Sequence, residues 1–170
     1  MPTWEELIVG AECTPREFGP LTRTDFVRYQ GASGDFNPIH HDDEFAQSAG
    51  YPTAFSVGML QAGILASYAT DWLGPHNVRK FGVQFREQVW PGDVVICSGT
   101  VTRKYEDGGE RKVDVDLLCT RQASGGAAIK GEATFVVTVT EFRDASGTLV
   151  AEARSTAIET GKPATGKVGA

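Results

Sequence analysis

Residues 57 to 73, Val-Gly-Met-Leu-Gln-Ala-Gly-Ile-Leu-Ala-Ser-Tyr-Ala-Thr-Asp-Trp-Leu, constrain the fold more than any other stretch of this chain. They read as a helix that is apolar nearly all round, with Leu60, Ile64, Tyr68 and Trp72 on one stripe and Met59, Ala62, Gly63, Ala66 and Ala69 elsewhere. A helix with so little polar surface is normally buried, and Gly74-Pro75 closes it. Beyond Pro75 the period changes. Val83 and Phe85, then Val94 to Val101, Val113 to Cys119 and Ala133 to Val139 are β-rich runs, punctuated by Pro91-Gly92-Asp93, Asp107-Gly108-Gly109 and Ser124-Gly125-Gly126. That is the pattern of antiparallel strands joined by turns. In the last run Ala133, Phe135, Val137 and Val139 fall opposite Glu132, Thr134, Thr138 and Thr140, so one face is packed and the other less so. The helix over 57–73 is the only apolar partner long enough for the packed face. The pattern therefore predicts an α+β fold, one long buried helix wrapped by an antiparallel sheet, with the strand order unread.

Ahead of residue 57 the sequence reads as two shorter helices. Leu21-Thr22-Arg23-Thr24-Asp25-Phe26 reads as a helix start, with Thr22 as cap, Asp25 at the third position and Leu21 stapled onto Phe26. This helix is expected to run to about Ala32. Gly34 and Pro38 stop it over Ser33-Gly34-Asp35-Phe36-Asn37-Pro38. Asp42, Asp43 and Glu44 suit the positive end of a further short helix through about Ser48. At the other end, residues 141 to 154 predict a final hairpin around Ser146-Gly147, and the Gly, Thr, Lys and Ala bias after Ser155 predicts a mobile tail. The expected organisation is a single domain over residues 1–154 with a tail over 155–170.

A chain of 170 residues is long enough for one core without disulfides or a structural metal. Its net charge of -6 lacks the basic footprint that nucleic acid requires. Cys13, Cys97 and Cys119 are odd in number, far apart in sequence and unpaired as CxxC, so they are expected to be free thiols in a reducing compartment. Met1 to Gly10 carries Glu5 and Glu6 and has neither a basic nor an apolar signal region. No apolar stretch has the length of a membrane span. Cytoplasmic residence without membrane insertion is the expectation.

Chemistry concentrates in Tyr29-Gln30-Gly31-Ala32-Ser33-Gly34-Asp35-Phe36-Asn37-Pro38-Ile39-His40. Asp35 and His40 stand five residues apart across a loop shaped by glycine and proline. That spacing lets a carboxylate and an imidazole converge on one water as an acid–base pair. Asp35 and Asn37 are equally ordinary turn residues, and His40 is equally a candidate for a satisfied, half-buried histidine. Spacing alone leaves both readings standing. His40-His41-Asp42-Asp43-Glu44 looks superficially like a metal cluster, but consecutive ligands point in different directions, so no metal is expected.

Ser33-Gly34-Asp35-Phe36-Asn37-Pro38-Ile39-His40 resembles the hydratase motif of the MaoC-like, (R)-specific enoyl-CoA hydratases. The likeness continues through Asp42, Ala46, Gly50 and Gly58-Met59-Leu60, and then Val83, Phe85, Val89, Gly92 and Asp93, covering roughly residues 5 to 140. The layout, including Leu21-Thr22-Arg23, is especially similar to the catalytic subunits of mycobacterial-type (3R)-hydroxyacyl-ACP dehydratases. The resemblance implies the hot dog fold. It also implies hydration of a trans-2-enoyl thioester, or the reverse dehydration of a (3R)-hydroxyacyl thioester, on CoA or acyl carrier protein and without a cofactor. Asp35 and His40 would then orient the water, one taking its proton and the other supplying Cα, with the assignment open. The Gly58 N–H would meet the thioester oxygen in a site shared with Val57, Asn37 and Ser33. The sequence departs from the family at Val57, where relatives commonly have His, and at Gln88, where many have Pro.

Arg79, Lys80 and Arg86 are candidates to meet the phosphates of CoA or carrier protein, although a solvated strand edge explains them as well. Phe45, Tyr51, Phe55 and Tyr68 are candidates to line the acyl tunnel. Sheets of this family pair side by side, so a homodimer, or a heterodimer with another hot-dog subunit, is implied. Two rival functions share the fold: an acyl-CoA thioesterase, and a non-catalytic acyl-CoA-binding subunit of a heteromeric dehydratase. The Asp-x-Asn-Pro-x-His loop separates the first from a hydratase, and an intact pair argues against the second.

Overall fold

The computed structural model describes residues 1–137, 140–143 and 149–153. They fall into two units, Met1–Val137 and Thr138–Ala170. In the first unit the elements run β1 (Glu12–Phe18), α1 (Arg23–Ser33), α2 (Asp43–Ser48), α3 (Gly58–Leu73), β2 (Val78–Phe85), β3 (Val95–Asp107), β4 (Glu110–Arg121) and β5 (Ala127–Val136). The second unit holds an antiparallel hairpin of β6 (Thr140–Arg143) and β7 (Leu149–Ala153). The expected turn at Ser146-Gly147, the packed position of Val139 and the tail over 155–170 lie outside the described residues.

Sheet order is β1-β3-β4-β5-β2, with every neighbouring pair antiparallel. Alternation places Val95, Cys97 and Val101, then Val113, Val115 and Leu117, then Ile129, Ala133 and Phe135 in the core. Cys97 and Cys119, distant in sequence, are direct partners across β3 and β4, and all three cysteines are free. α3 crosses the packed face and buries Gln61, Ala62, Leu65, Tyr68, Ala69 and Leu73. Each fully buried Leu or Val of this kind stabilises the fold by about 1.5–3 kcal/mol.

Two inner-facing glycines let the helix sit low. A methyl group at Gly99 would lie 3.1 Å from the Trp72 ring, and one at Gly131 would lie 3.2 Å from Leu65 Cδ2. The expectation of a helix covered all round is corrected here. Of the expected stripe only Tyr68 is fully buried, while Leu60, Ile64 and Trp72 are partly so. Met59, Gly63, Ser67 and Asp71 form an exposed flank. The physical reason is that one sheet covers one side of a cylinder.

α1 begins with the expected capping box. Asp25 N donates to Thr22 Oγ1 (3.2 Å) and Thr22 N to Asp25 Oδ2 (2.8 Å). Leu21 and Phe26 are both buried in the core. α2 is capped by Asp42, which accepts from Phe45 N at 3.1 Å. β1 is an addition to the strands that the sequence pattern predicts. Among the described residues no helix is long and apolar enough to cross a membrane.

Candidate active site

The reactive loop is made by the way α1 ends. Gly34 takes φ 75°, a conformation most residues avoid, and donates its N–H to Gln30 O at 2.9 Å. Gln30 is buried beneath the loop. Its Nε2 donates to Asp35 O (2.9 Å) and Asn37 O (3.1 Å), while its Oε1 accepts from His41 Nδ1 (3.2 Å). Local side chains complete the turn. Ser33 Oγ accepts from Asp35 N (3.4 Å), Asp35 Oδ1 from Asn37 N (3.2 Å), and Asn37 Oδ1 from Ile39 N (3.1 Å) at the head of a 3-10 turn over Pro38–His40.

His40 is thereby set against the segment before α3. Its Nδ1 lies 2.8 Å from Phe55 O. A carbonyl only accepts, so Nδ1 is the donor in this contact, which leaves Nε2 as the nitrogen that can exchange a proton with a water. Asp35 Oδ2 stands 3.9 Å from that Nε2, with side-chain exposures of 43% for Asp35 and 11% for His40. The gap is too long for a direct hydrogen bond. One water at an ordinary distance of about 2.8 Å from each would join them with an angle near 90°.

The carbonyl that orients His40 is itself tethered. Asp43 Oδ1 accepts from Ala54 N (2.8 Å) and Thr53 Oγ1 (2.6 Å), and its carboxylate pairs with Arg23 at 2.9 Å. The Ala54 amide first, then the Thr53 hydroxyl and Arg23, hold the Asp43 carboxyl down at about 2. Nearby, the Phe55 ring meets the imidazole edge-on at 5.2 Å and packs on Tyr51 at 4.7 Å.

Asp35 and His40 open on a cavity of about 410 Å³, walled by Phe55, Val57, Gly58, Met59, Phe85 and Ile129 among others. α3 starts there. Its N-cap, Val57, supplies no side-chain hydrogen bond, and the first amides of any helix lack intrahelical partners. The positive end of the helix dipole therefore lies at the cavity wall, where Gly58 and Met59 begin the helix. Gly58 also admits a neighbour, because a methyl group there would lie 2.9 Å from Cδ1 and Cε1 of Phe85. A wider concavity of about 630 Å³ lies around Thr100, Asp116 and Lys130. Asp35, His40 and the start of α3 are not among its walls, and chemistry outranks size here.

Asp35, His40, Val57 and Gly58 all line the smaller cavity. Ser33 and Asn37 do not; they shape the loop behind it. Arg86 lies on its wall, whereas Arg79 is paired with Glu110 (2.9 Å) and Lys80 with Glu132 (2.6 Å). Seven strand residues put Arg79 about 23 Å from Arg86, so the three cations do not form a group. Phe55 lines the cavity, but the Tyr68 hydroxyl donates to Cys13 O and Thr14 O (3.2 Å each) on β1, and Phe45 is exposed. Sequence reasoning missed Gln30 and Gln61. The signal for Gln61 was a lone amide in the apolar run that becomes α3; Gln30, in a polar helix, carried none. Among the described residues no group of three or more His, Cys, Asp or Glu side chains is arranged to hold a metal ion.

A long helix laid over an antiparallel sheet, with a carboxylate and an imidazole facing each other near the helix N-terminus, defines a hot-dog enzyme. Residues 8–123 match the family described as MaoC like domain. An (R)-specific enoyl-CoA hydratase of Rhodospirillum rubrum is 30% identical over 119 residues, 69% of this chain and 80% of that protein. A 3-hydroxybutyryl-CoA dehydratase of Methylorubrum extorquens is 28% identical over 144 residues, 83% of this chain and 87% of that protein. Among solved structures, the ChsH1-ChsH2 complex from Mycobacterium tuberculosis superposes with a TM-score of 0.66 at 25% identity, covering 76% of this chain and 97% of that one. The chain belongs to the MaoC-like family of hydratases and dehydratases.

Proposed function

We propose that this enzyme adds water across the double bond of a trans-2-enoyl thioester, or removes it from the (3R)-hydroxyacyl thioester, with Asp35 and His40 holding the water. The observation that carries the reading is the 3.9 Å span between Asp35 Oδ2 and His40 Nε2 beside the start of α3. In the hydration direction His40 Nε2 takes one proton from the water as its oxygen bonds to Cβ. The other O–H of the water stays on the oxygen as the product hydroxyl, donating a hydrogen bond to the Asp35 carboxylate, which also steadies the imidazolium. Electrons move through the π bond onto the thioester oxygen, and the proton on Nε2 then passes to Cα. One water is added and both residues return to their starting states. The Gly58 N–H, with the helix dipole behind it, receives the negative oxygen of the enolate-like state.

Apolar walls at Phe55, Val57 and Ile129 suit an acyl chain, and the presence of Arg86 on the same wall supports a role for it in meeting the phosphates of CoA or carrier protein. A second hot-dog subunit, identical or not, is proposed to cover the exposed Met59 and Phe85 on the cavity wall and the exposed Phe36 next to Asp35 in sequence. The mycobacterial complex among the structural relatives supports that arrangement.

The test is an assay with crotonyl-CoA that follows loss of the enoyl absorbance against release of free thiol. Loss of absorbance without thiol is expected. His40→Ala and Asp35→Asn are expected to lose roughly 10²–10⁴-fold in kcat, the usual worth of positioned proton transfer. Thiol release at the same rate would instead make the protein a thioesterase. Binding without turnover, alone or with any partner subunit, would make it a non-catalytic subunit.

A further inference from the structure

Gln61 is a polar side chain, 2% exposed, on the wall of the candidate cavity, and the acid–base scheme does not use it. It sits at the fourth position of α3, one turn below an N-terminus whose cap, Val57, has no side-chain oxygen. Turned so that its carbonyl accepts from Ser56 Oγ (2.6 Å), Gln61 donates from Nε2 to Val57 O (2.9 Å) and, at longer range, to Gly58 O (3.3 Å). The opposite turn would aim its carbonyl at two carbonyls. Ser56 is itself 3% exposed and fixed to the cavity wall by donating its N–H to Val89 O (2.9 Å).

Val57 O and Gly58 N–H are the two ends of a single peptide plane. A donor on the carbonyl end restrains the tilt of that plane. It also draws electron density toward the carbonyl oxygen, which strengthens the amide as a donor at the other end. Leu60 N already donates to Val57 O at 2.9 Å, so the oxygen holds two donors and the plane is braced from two directions.

We infer that Gln61 is a positioning residue for the thioester oxygen: anchored by Ser56, it braces and polarises the Val57–Gly58 peptide whose N–H receives the developing negative charge. The inference rests on the role given to Gly58 in the proposed reaction and adds the residue that makes that amide a fixed donor. Val57, an aliphatic side chain, adds no polar group of its own at this point, so the back of the peptide is where the chain supplies support.

Gln61→Met keeps the length of the side chain and removes both hydrogen-bonding ends. Removing a direct oxyanion donor typically costs about 10²–10³ in kcat; losing the group behind the donor is expected to cost about 10-fold, with KM within about 2-fold. The distinguishing readout is optical. A conjugated 2,4-dienoyl-CoA absorbs at longer wavelength when its carbonyl oxygen is polarised, so the red shift on binding is expected to shrink in the variant. Ser56→Ala, which leaves Gln61 in place but unanchored, is expected to show the same two changes in smaller degree, and it carries the test if Gln61→Met does not fold. A variant with wild-type kcat and an undiminished red shift overturns the inference. So does a variant in which kcat falls while the red shift is unchanged, the mark of a purely structural role. A wild type with neither turnover nor red shift overturns instead the reading of the site on which the inference rests.

Discussion

Gly58→Ala tests the geometry of the site at its tightest point. The backbone accepts the change, because Gly58 is not among the glycines with positive φ. The side-chain space does not. The added carbon would stand 2.9 Å from two ring atoms of Phe85, and ordinary contact begins near 3.4 Å, so the ring must retreat by about half an ångström. Phe85 ends β2 and is 53% exposed, so the ring has somewhere to go. Folded stability is therefore expected to stay within about 1 kcal/mol of wild type, a helix-propensity gain offsetting the displacement. Activity is more sensitive, because a misplacement of about 1 Å in a reacting geometry costs up to about 10²-fold, or roughly 2.7 kcal/mol of barrier. We expect kcat/KM on crotonyl-CoA to fall about 10- to 100-fold while the melting temperature barely moves. Measured in the Phe85→Ala background, the same substitution is expected to cost much less, since the ring it displaces is gone. Full activity in Gly58→Ala, or an equal loss in both backgrounds, would refute the reasoning.

Charges around the site give two more expected outcomes. Asp43 titrates near 2 in the folded chain against an ordinary 3.8, so its contribution to stability is complete above the unfolded value and disappears as pH falls through the folded one. The gap in melting temperature between wild type and Asp43→Asn is accordingly expected to hold above about pH 4 and to close toward about pH 2; thermal melts across that range check it. Arg86→Ala is expected to raise KM for a CoA thioester several-fold and leave a phosphate-free pantetheine thioester unaffected. Arg79→Ala and Lys80→Ala, whose cations are held by Glu110 and Glu132, are expected to change neither.

The helices and the reactive loop were legible because their signals are local. Thr22 with Asp25, Asp42 ahead of α2, and Gly34 before Pro38 each act within a few residues of themselves. Strands at the margins were harder to read. β1 contains Pro15 within Glu-Cys-Thr-Pro-Arg-Glu-Phe, which argues against a central strand; it is tolerated because β1 is an edge strand whose register slips between Cys13 and Arg16. β5 begins at Ala127, six residues before the expected Ala133, because Lys130 and Glu132 are exposed and the inner position between them is Gly131. An apolar alternation cannot be seen where its inward member has no side chain. In the site, Asp35 and His40 declared themselves through one short loop. Phe55 was expected there, but Gln61 and Phe85 reach the same cavity from separate segments, and only the folded chain brings them to it.

Gly99 and Gly131 also bear on the aim of the site. They lie under Trp72 and Leu65, seven residues apart on α3 and so about 10 Å along its axis. Two points of support at that spacing fix the lean of a rod. Adding a methyl group at one of them would lift one end of α3 and lower the other, and the direction in which Gly58 points would swing with it. The orientation of the amides at the cavity is thus set in part by two hydrogen atoms on the floor of the sheet, well away from any reacting group.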